Sequence, residues 1–360
     1  MKKLNLLLAA FIVLSGCTHE IKQEETKKAK NIILMIGDGM GITQVYGAMS
    51  VSKEPLVFEK FKNIGFHKTY SASDYITDSG AGGTALATGT KTNNLSVGVD
   101  TAGVPLKSIL HYAEENKLAT GLVSTSSILH ATPASFIAHE KNRSDYENIA
   151  RDFLDVDIDI FIGGGKKQFA HRKDSLNLLD SLKSRHYQII DGLANFNKDA
   201  QGKFAVFTAE GHNPEIMNGR GDMLSQSTEN AIAVLRKNEN GFFLMVEGSQ
   251  IDWGGHDRDI DYVVSETLDF EKAVRKAYEF AVKDGETLLI VTADHETGGL
   301  SLTGGELMQN TIEANFAFDN HTAVMVPVFA YGPGAENFGG IYENTDVFEK
   351  MMEAYGFSKE

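Results

Sequence analysis

The sequence predicts an α/β fold: a central, mostly parallel β-sheet with helices on both faces. Three observations carry that expectation. Short apolar runs recur along the chain, and they are continuous rather than alternating, as in strands buried on both sides. Longer amphipathic stretches separate them, as crossover connections between parallel strands require. Polar residues able to bind a ligand stand directly after several runs, where open α/β sheets gather their sites.

The N-terminus has the layout of an export signal. Met1-Lys2-Lys3 is basic, residues 4–14 are apolar but too few to span a bilayer, and Ser15-Gly16-Cys17 ends in small residues. Leu14-Ser15-Gly16-Cys17 also resembles the bacterial lipobox, whose cysteine is lipidated and becomes the mature N-terminus. The alternative is an ordinary signal with a chance cysteine. Cys17 is the single cysteine, so no disulfide supports the fold. On this reading 1–16 is removed, and 17–30 is a polar tether rich in Lys and Glu. The protein is then exported and lipid-anchored to a bacterial membrane, facing the periplasm or the cell surface.

Residues 31–360 read as one catalytic domain. Strands are expected at 32–36, 118–124, 158–162, 242–246, 287–292 and 326–331. Helices are expected at 106–116, 145–154, 224–237, 262–282 and 346–355. A hydrophobic content of 42% with 23% charged residues supports a large core and excludes disorder. The net charge of −15 argues against nucleic-acid binding, and it poses a puzzle if the substrate is an anion.

The ligand-type residues fall at the expected strand ends. Gly37-Asp38-Gly39 follows the first, Glu247 and Asp252 through His256 follow the fourth, and Asp294-His295 follows the fifth; His321 stands near the sixth. Asp38 alone reads as a turn residue. Together, carboxylates and imidazoles drawn from separate parts of the chain point to divalent metal binding. Asp252 and His256 share a side if their segment is helical, though Gly254 and Gly255 fit a loop equally well. Ser79, in Thr77-Asp78-Ser79-Gly80-Ala81-Gly82-Gly83, would open a helix of small residues with its hydroxyl in the positive field of the N-terminus. An N-cap serine is the plain alternative.

From about Asn31 onward the sequence resembles the alkaline phosphatases. The motifs are Ile36-Gly37-Asp38-Gly39-Met40, Thr77-Asp78-Ser79, Ala131-Thr132-Pro133-Ala134, Val246-Glu247-Gly248, Ile251-Asp252, Thr292-Ala293-Asp294-His295 and His321-Thr322. The resemblance implies hydrolysis of phosphate monoesters through a phosphoserine at Ser79, with two Zn2+ ions and one Mg2+ ion. Asp252, His256 and His321 would hold the first zinc, and Asp38, Asp294 and His295 the second. Asp38 would bridge to the Mg2+, completed by Thr132 and Glu247, an oxygen set suited to a hard cation. Arg143, eleven residues after Thr132, would grip the phosphoryl group.

Two positions depart from the enterobacterial form of the family. His130 stands where that form has Asp, and Trp253 where it has Lys; both would lie beside the substrate and alter the third ion's surroundings. The connection from His295 to His321 leaves no room for the large crown insertion of many members, whose dimer interface it helps to build. A homodimer is still expected. Phosphodiesterase or phosphonate monoester hydrolase activity fits less well, given Arg143 and the complete ligand set. The sulfatase motif is missing around Ser79.

Overall fold

The computed structural model describes residues 28–306 and 309–359. The expected export signal, Cys17 and the expected tether up to residue 27 lie outside them. The strands are β1 (Asn31–Gly37), β2 (Asn63–Lys68), β3 (Ala119–Ser127), β4 (Ile160–Gly164), β5 (Tyr187–Asp191), β6 (Lys203–Phe207), β7 (Phe242–Gly248), β8 (Thr287–Thr292), β9 (Glu296–Thr297), β10 (Leu300–Glu306), β11 (Thr311–Phe316), β12 (His321–Thr322), β13 (Val326–Tyr331) and β14 (Gly340–Glu343). The helices are α1 (Ile42–Val51), α2 (Ser79–Thr88), α3 (Ile109–Glu115), α4 (Ala131–Ala134), α5 (Tyr146–Asp152), α6 (Lys166–Ala170), α7 (Leu178–Ser184), α8 (Met223–Leu235), α9 (Gln250–Asp257), α10 (Ile260–Asp284) and α11 (Asn344–Tyr355).

Ten strands form one sheet in the order β14-β2-β13-β8-β1-β7-β3-β4-β6-β5. Every neighbouring pair is parallel except the two made by β13, which runs against both β2 and β8. β1 is buried throughout, and its residues alternate between two cores. Ile32, Leu34 and Ile36 face Leu86 of α2, Ile109 of α3 and Phe348 of α11, whereas Ile33 and Met35 face Val45 of α1, Leu224 of α8 and Phe270 of α10. Helices therefore cover both faces, as the apolar runs require. At 25 residues, α10 is well delimited: the Asp259 side chain accepts from Asp261 N and Tyr262 N at its start, and Gly285 closes it at φ +70°.

The six expected strands and five expected helices all form, with ends shifted by a few residues. β2, β5, β6 and β14 had no counterpart among the sequence expectations. β14 and β5 are the sheet's two edges and β2 neighbours one of them; their mixed burial leaves no continuous apolar run to read. Backbone hydrogen bonds tie the chain to the fold before Asn31, with Ala29 N donating to Ala354 O and Lys30 N to Glu286 O. Between His295 and His321 the described residues form β9, the ribbon of β10 and β11, and short turns. Among the described residues no helix is long and apolar enough to cross a membrane.

β1 lies in the middle of the sheet, between β8 and β7. Asp38 follows β1, Glu247 is the next-to-last residue of β7, Asp294 and His295 follow β8, and His130 follows β3. The sheet thus gathers side chains distant in sequence at the C-terminal ends of its central strands.

Candidate active site

Ser79 is the first residue of α2 and is almost fully buried. Asp78 is extended, and its Oδ1 accepts from Ala81 N at 3.0 Å, capping the helix. The positive end of the helix dipole therefore lies at the Ser79 hydroxyl. Gly82 lets α2 approach the end of β8, since a Cβ there would lie 3.1 Å from Asp294 Cβ. With that approach, Ser79 Oγ comes to 3.3 Å from His295 Nε2.

Three histidines present the same face to one region, and their other nitrogens explain why. His256 Nδ1 lies 2.7 Å from Asp319 O, and His321 Nδ1 lies 2.8 Å from Thr77 O. A carbonyl can only accept, so both Nδ1 atoms carry a hydrogen, and each ring turns its Nε2 to the same region. His295 Nδ1 lies 3.3 Å from Thr297 Oγ1, whose own hydrogen goes to Asp252 Oδ1, so this Nδ1 carries a hydrogen as well. The Nε2 atoms of His256 and His321 face each other at 3.1 Å, beside Asp252 Oδ1 at 3.3 and 3.5 Å. His295 Nε2 lies 3.3 Å from Asp38 Oδ1 and 3.4 Å from Asp294 Oδ2. A tetrahedral ion with bonds of about 2.0–2.1 Å holds its donors about 3.3–3.4 Å apart. Both groups have that spacing.

The electrostatics are those of a site short of positive charge. Burial raises Asp38 well above the usual carboxylate range, with Asp294 and Asp252 adding to it. Burial, then Asp252 and Glu247, pushes Asp294 up to about 7. Glu247 is raised by burial as well. His256 is pushed up to about 9 by its hydrogen bond to Asp252. Among the described residues, both oxygens of Asp38, Asp294 Oδ2, Glu247 Oε1 and Thr132 Oγ1 are buried without a hydrogen-bond partner. Orphaned acceptors on this scale are costly unless cations satisfy them. The donors fall into three groups, each within 4.8 Å: Asp252, His256 and His321; Asp38, Asp294 and His295; and Asp38, His130 and Glu247. The residues present therefore fit metal ions.

Arg143 reaches the same region from the loop after α4. Its Nη1 donates to Asp78 Oδ2 at 3.0 Å and its Nη2 to His130 Nε2 at 3.3 Å. Burial, then the Arg143 charge, lowers His130 to about 3, so its ring is neutral. Trp253, in α9 next to Asp252, meets the His130 ring edge-on at 6.2 Å between centroids.

Residues 29–317 match the family model of alkaline phosphatase. Alkaline phosphatase 3 of Bacillus subtilis (strain 168) is 34% identical over 96% of this chain and 94% of its own length. The chain belongs to the alkaline phosphatase family. Members of the family are metal-dependent phosphoric monoester hydrolases. Among solved structures, the alkaline phosphatase of the Antarctic bacterium TAB5 is 43% identical, with a TM-score of 0.89 over 92% of this chain and all of that one. A His-to-Asp variant of the TAB5 enzyme, described with Mg bound in its M3 site, is 40% identical with a TM-score of 0.87, over 93% of this chain and all of that one.

The structure of this alkaline phosphatase family member brings together every site residue expected from the sequence, apart from Cys17. It resolves the segment of Asp252 and His256 as a helix, and it adds His130 to the group of Asp38 and Glu247. Sequence reasoning missed two neighbours. Asp78 both caps the helix of Ser79 and holds Arg143, tying the two side chains together. His212, from the loop after β6, accepts from Ser127 N on Nδ1 at 3.0 Å and meets Trp253 edge-on at 5.0 Å. Asp78 was legible as a helix cap beside Ser79. His212 carried no signal, because only the crossing of β3 and β6 connections brings it near.

Proposed function

We propose that the protein hydrolyses phosphate monoesters through a phosphoserine formed on Ser79. Asp252, His256 and His321 would hold one zinc ion, and Asp38, Asp294 and His295 a second. Asp38, Glu247 and Thr132 would hold a magnesium ion. The observation that carries this reading is the convergence of the His256 and His321 Nε2 atoms, 3.1 Å apart beside Asp252, with both Nδ1 hydrogens committed to carbonyls. When bound, such ions lower the pKa of a nearby hydroxyl and offset charge that builds on the oxygens of the reacting phosphate.

The protein's own groups do the rest. The Ser79 oxygen forms a bond to phosphorus as the ester P–O bond breaks, and the leaving oxygen departs with the electron pair and then takes a proton. Asp78 keeps Ser79 at the helix N-terminus and keeps Arg143 aimed beside it. The Arg143 fork holds two non-bridging oxygens, which suits a terminal phosphoryl group rather than a diester. Water then attacks the phosphoserine, releasing phosphate and restoring the Ser79 hydroxyl. His130 and Trp253 border the phosphoryl group and address its surroundings. Export, a lipid on Cys17 and a homodimer belong to the same reading.

The test is turnover of a nitrophenyl monoester and of its diester, for wild type and Ser79→Ala, with and without a chelator. Monoester turnover should dominate, disappear with the chelator, and fall by at least about a thousandfold in Ser79→Ala. Monoester hydrolysis that survives both treatments, or a preference for the diester, overturns the proposal.

A further inference from the structure

Glu296 stands between His295 and Thr297, is 3% exposed, and belongs to no ligand group. Its Oε1 accepts from Gln44 Nε2 at 2.7 Å and from Leu300 N at 3.1 Å. Its Oε2 accepts from Gly299 N at 3.2 Å and from the Thr322 hydroxyl. The carboxylate is thus satisfied by four donors from three parts of the chain, with no cationic side chain among them. Each part adjoins a proposed ligand. Gln44 lies in α1, just after the turn that carries Asp38, and Gly41 at the start of that helix packs so closely that a Cβ there would lie 2.5 Å from Glu296 Cγ. Thr322 follows His321. Glu296 itself follows His295.

We infer that Glu296 is a positioning residue that fixes His321, through Thr322, against Asp252 and His256. The inference rests on the zinc assignment above. The His321 ring is placed by its hydrogen bond to Thr77 O and by stacking on His295, and the force of the inference comes from how little holds the His321 backbone. β12 is two residues long and pairs only with β9, as His321 to Thr297 and Thr322 to Glu296. Asp294 and His295, by contrast, continue directly from β8, which is paired on both sides in the central sheet. Loss of the Glu296–Thr322 hydrogen bond therefore frees one group of donors and leaves the other in place. A neutral amide in its place could accept at one oxygen only. A buried carboxylate instead draws four N–H and O–H groups toward itself and leaves the backbone little freedom.

The experiment is zinc release from the loaded enzyme into a chromogenic chelator, followed in time, for wild type, Glu296→Gln, Thr322→Val and Thr322→Ser. Melting of the four zinc-free proteins is measured alongside. Wild type should release two zinc ions in two phases. Glu296→Gln and Thr322→Val should speed one phase by about 10–100-fold and leave the other at the wild-type rate. Thr322→Ser keeps the hydroxyl and should restore the slow phase. If Glu296→Gln does not fold, the Val and Ser pair decides. Unchanged rates in Thr322→Val overturn the inference, as does acceleration of both phases in step with a lower zinc-free melting temperature. A wild type that binds no zinc overturns the zinc assignment and the inference with it.

Discussion

His130 accepts a hydrogen bond from Arg143 on Nε2, and that contact decides what its other nitrogen can do. A guanidinium only donates, so Nδ1 must carry the ring's hydrogen; it is buried with no partner among the described residues. The same ring has a nitrogen within 4.8 Å of carboxylate oxygens of Asp38 and Glu247. A neutral ring at this place adds no negative charge to hold a cation, whereas a carboxylate would attract one. His130→Asp should therefore bind Mg2+ at least about tenfold more tightly, read by calorimetric titration of magnesium-depleted enzyme. Equal or weaker binding would contradict this account of position 130. Asp78 offers a second test at this scale. Asp78→Ala removes the cap of α2 and the anchor of Arg143 together, and inhibition by inorganic phosphate should weaken by about tenfold or more. Asp78→Asn keeps an acceptor for Ala81 and should recover the stability but only part of the phosphate affinity; full recovery would make the charge on Asp78 irrelevant.

Among the elements, the turn from β1 into α1 is the most constrained. Gly39 has φ +76°, and a Cβ there would lie 2.7 Å from Asp252 Cα and 2.8 Å from Thr297 Oγ1. Gly39→Ala adds the left-handed penalty of about 1–2 kcal/mol to a collision with the backbone of a proposed ligand. Denaturant unfolding should show a loss of about 2 kcal/mol or more, and zinc content at fixed free zinc should fall; a variant with wild-type values on both counts would refute this account. The glycines of α9 show why the sequence left that segment open between helix and loop. A Cβ on Gly254 would lie 2.7 Å from Val263 N, and one on Gly255 would lie 2.8 Å from Thr297 Cβ. These glycines serve close packing of a helix, not freedom of a loop, and only tertiary structure tells the two apart. Strand ends were legible for a complementary reason. A run such as β7 is buried on both faces, so it reads as continuous apolar sequence, and the residue that ends it reads as a ligand. β2 and β14 lacked that signature, being half exposed, as did the reversed direction of β13, which depends on its pairing and not on its own residues.

For the molecule as a whole, a formal charge of −15 sets a problem at alkaline pH that the site alone does not. Asp38, Glu247, Asp252 and Asp294 can share cations, which resolves the apparent conflict between an acidic protein and an anionic substrate. Glu114 has no such relief. It lies in the last turn of α3, partly buried, accepting from Thr120 Oγ1 at 3.2 Å and Asp157 N at 3.3 Å. Burial pushes its carboxyl from the usual 4.5 up to about 7; those two hydrogen bonds pull the other way, and the charges of Asp157 and Asp159 add to the rise. The folded chain thus binds this proton more tightly than the unfolded chain does. Stability contributed by the protonated acid is full below about pH 4.5, falls as pH rises through about 7, and stays lost above it. The loss is on the order of 1–2 kcal/mol for a group that keeps some contact with water. Glu114→Gln cannot ionise, so its melting temperature should fall less than that of wild type between pH 5 and pH 9, by a few degrees, with metal saturating at both. Its lost acceptor for Asp157 N or Thr120 should make it slightly the less stable protein at pH 5, so the two melting curves are expected to converge or cross as pH rises. An identical pH dependence in both proteins would mean that Glu114 ionises as readily in the fold as outside it, and that the alkaline limit on stability lies elsewhere.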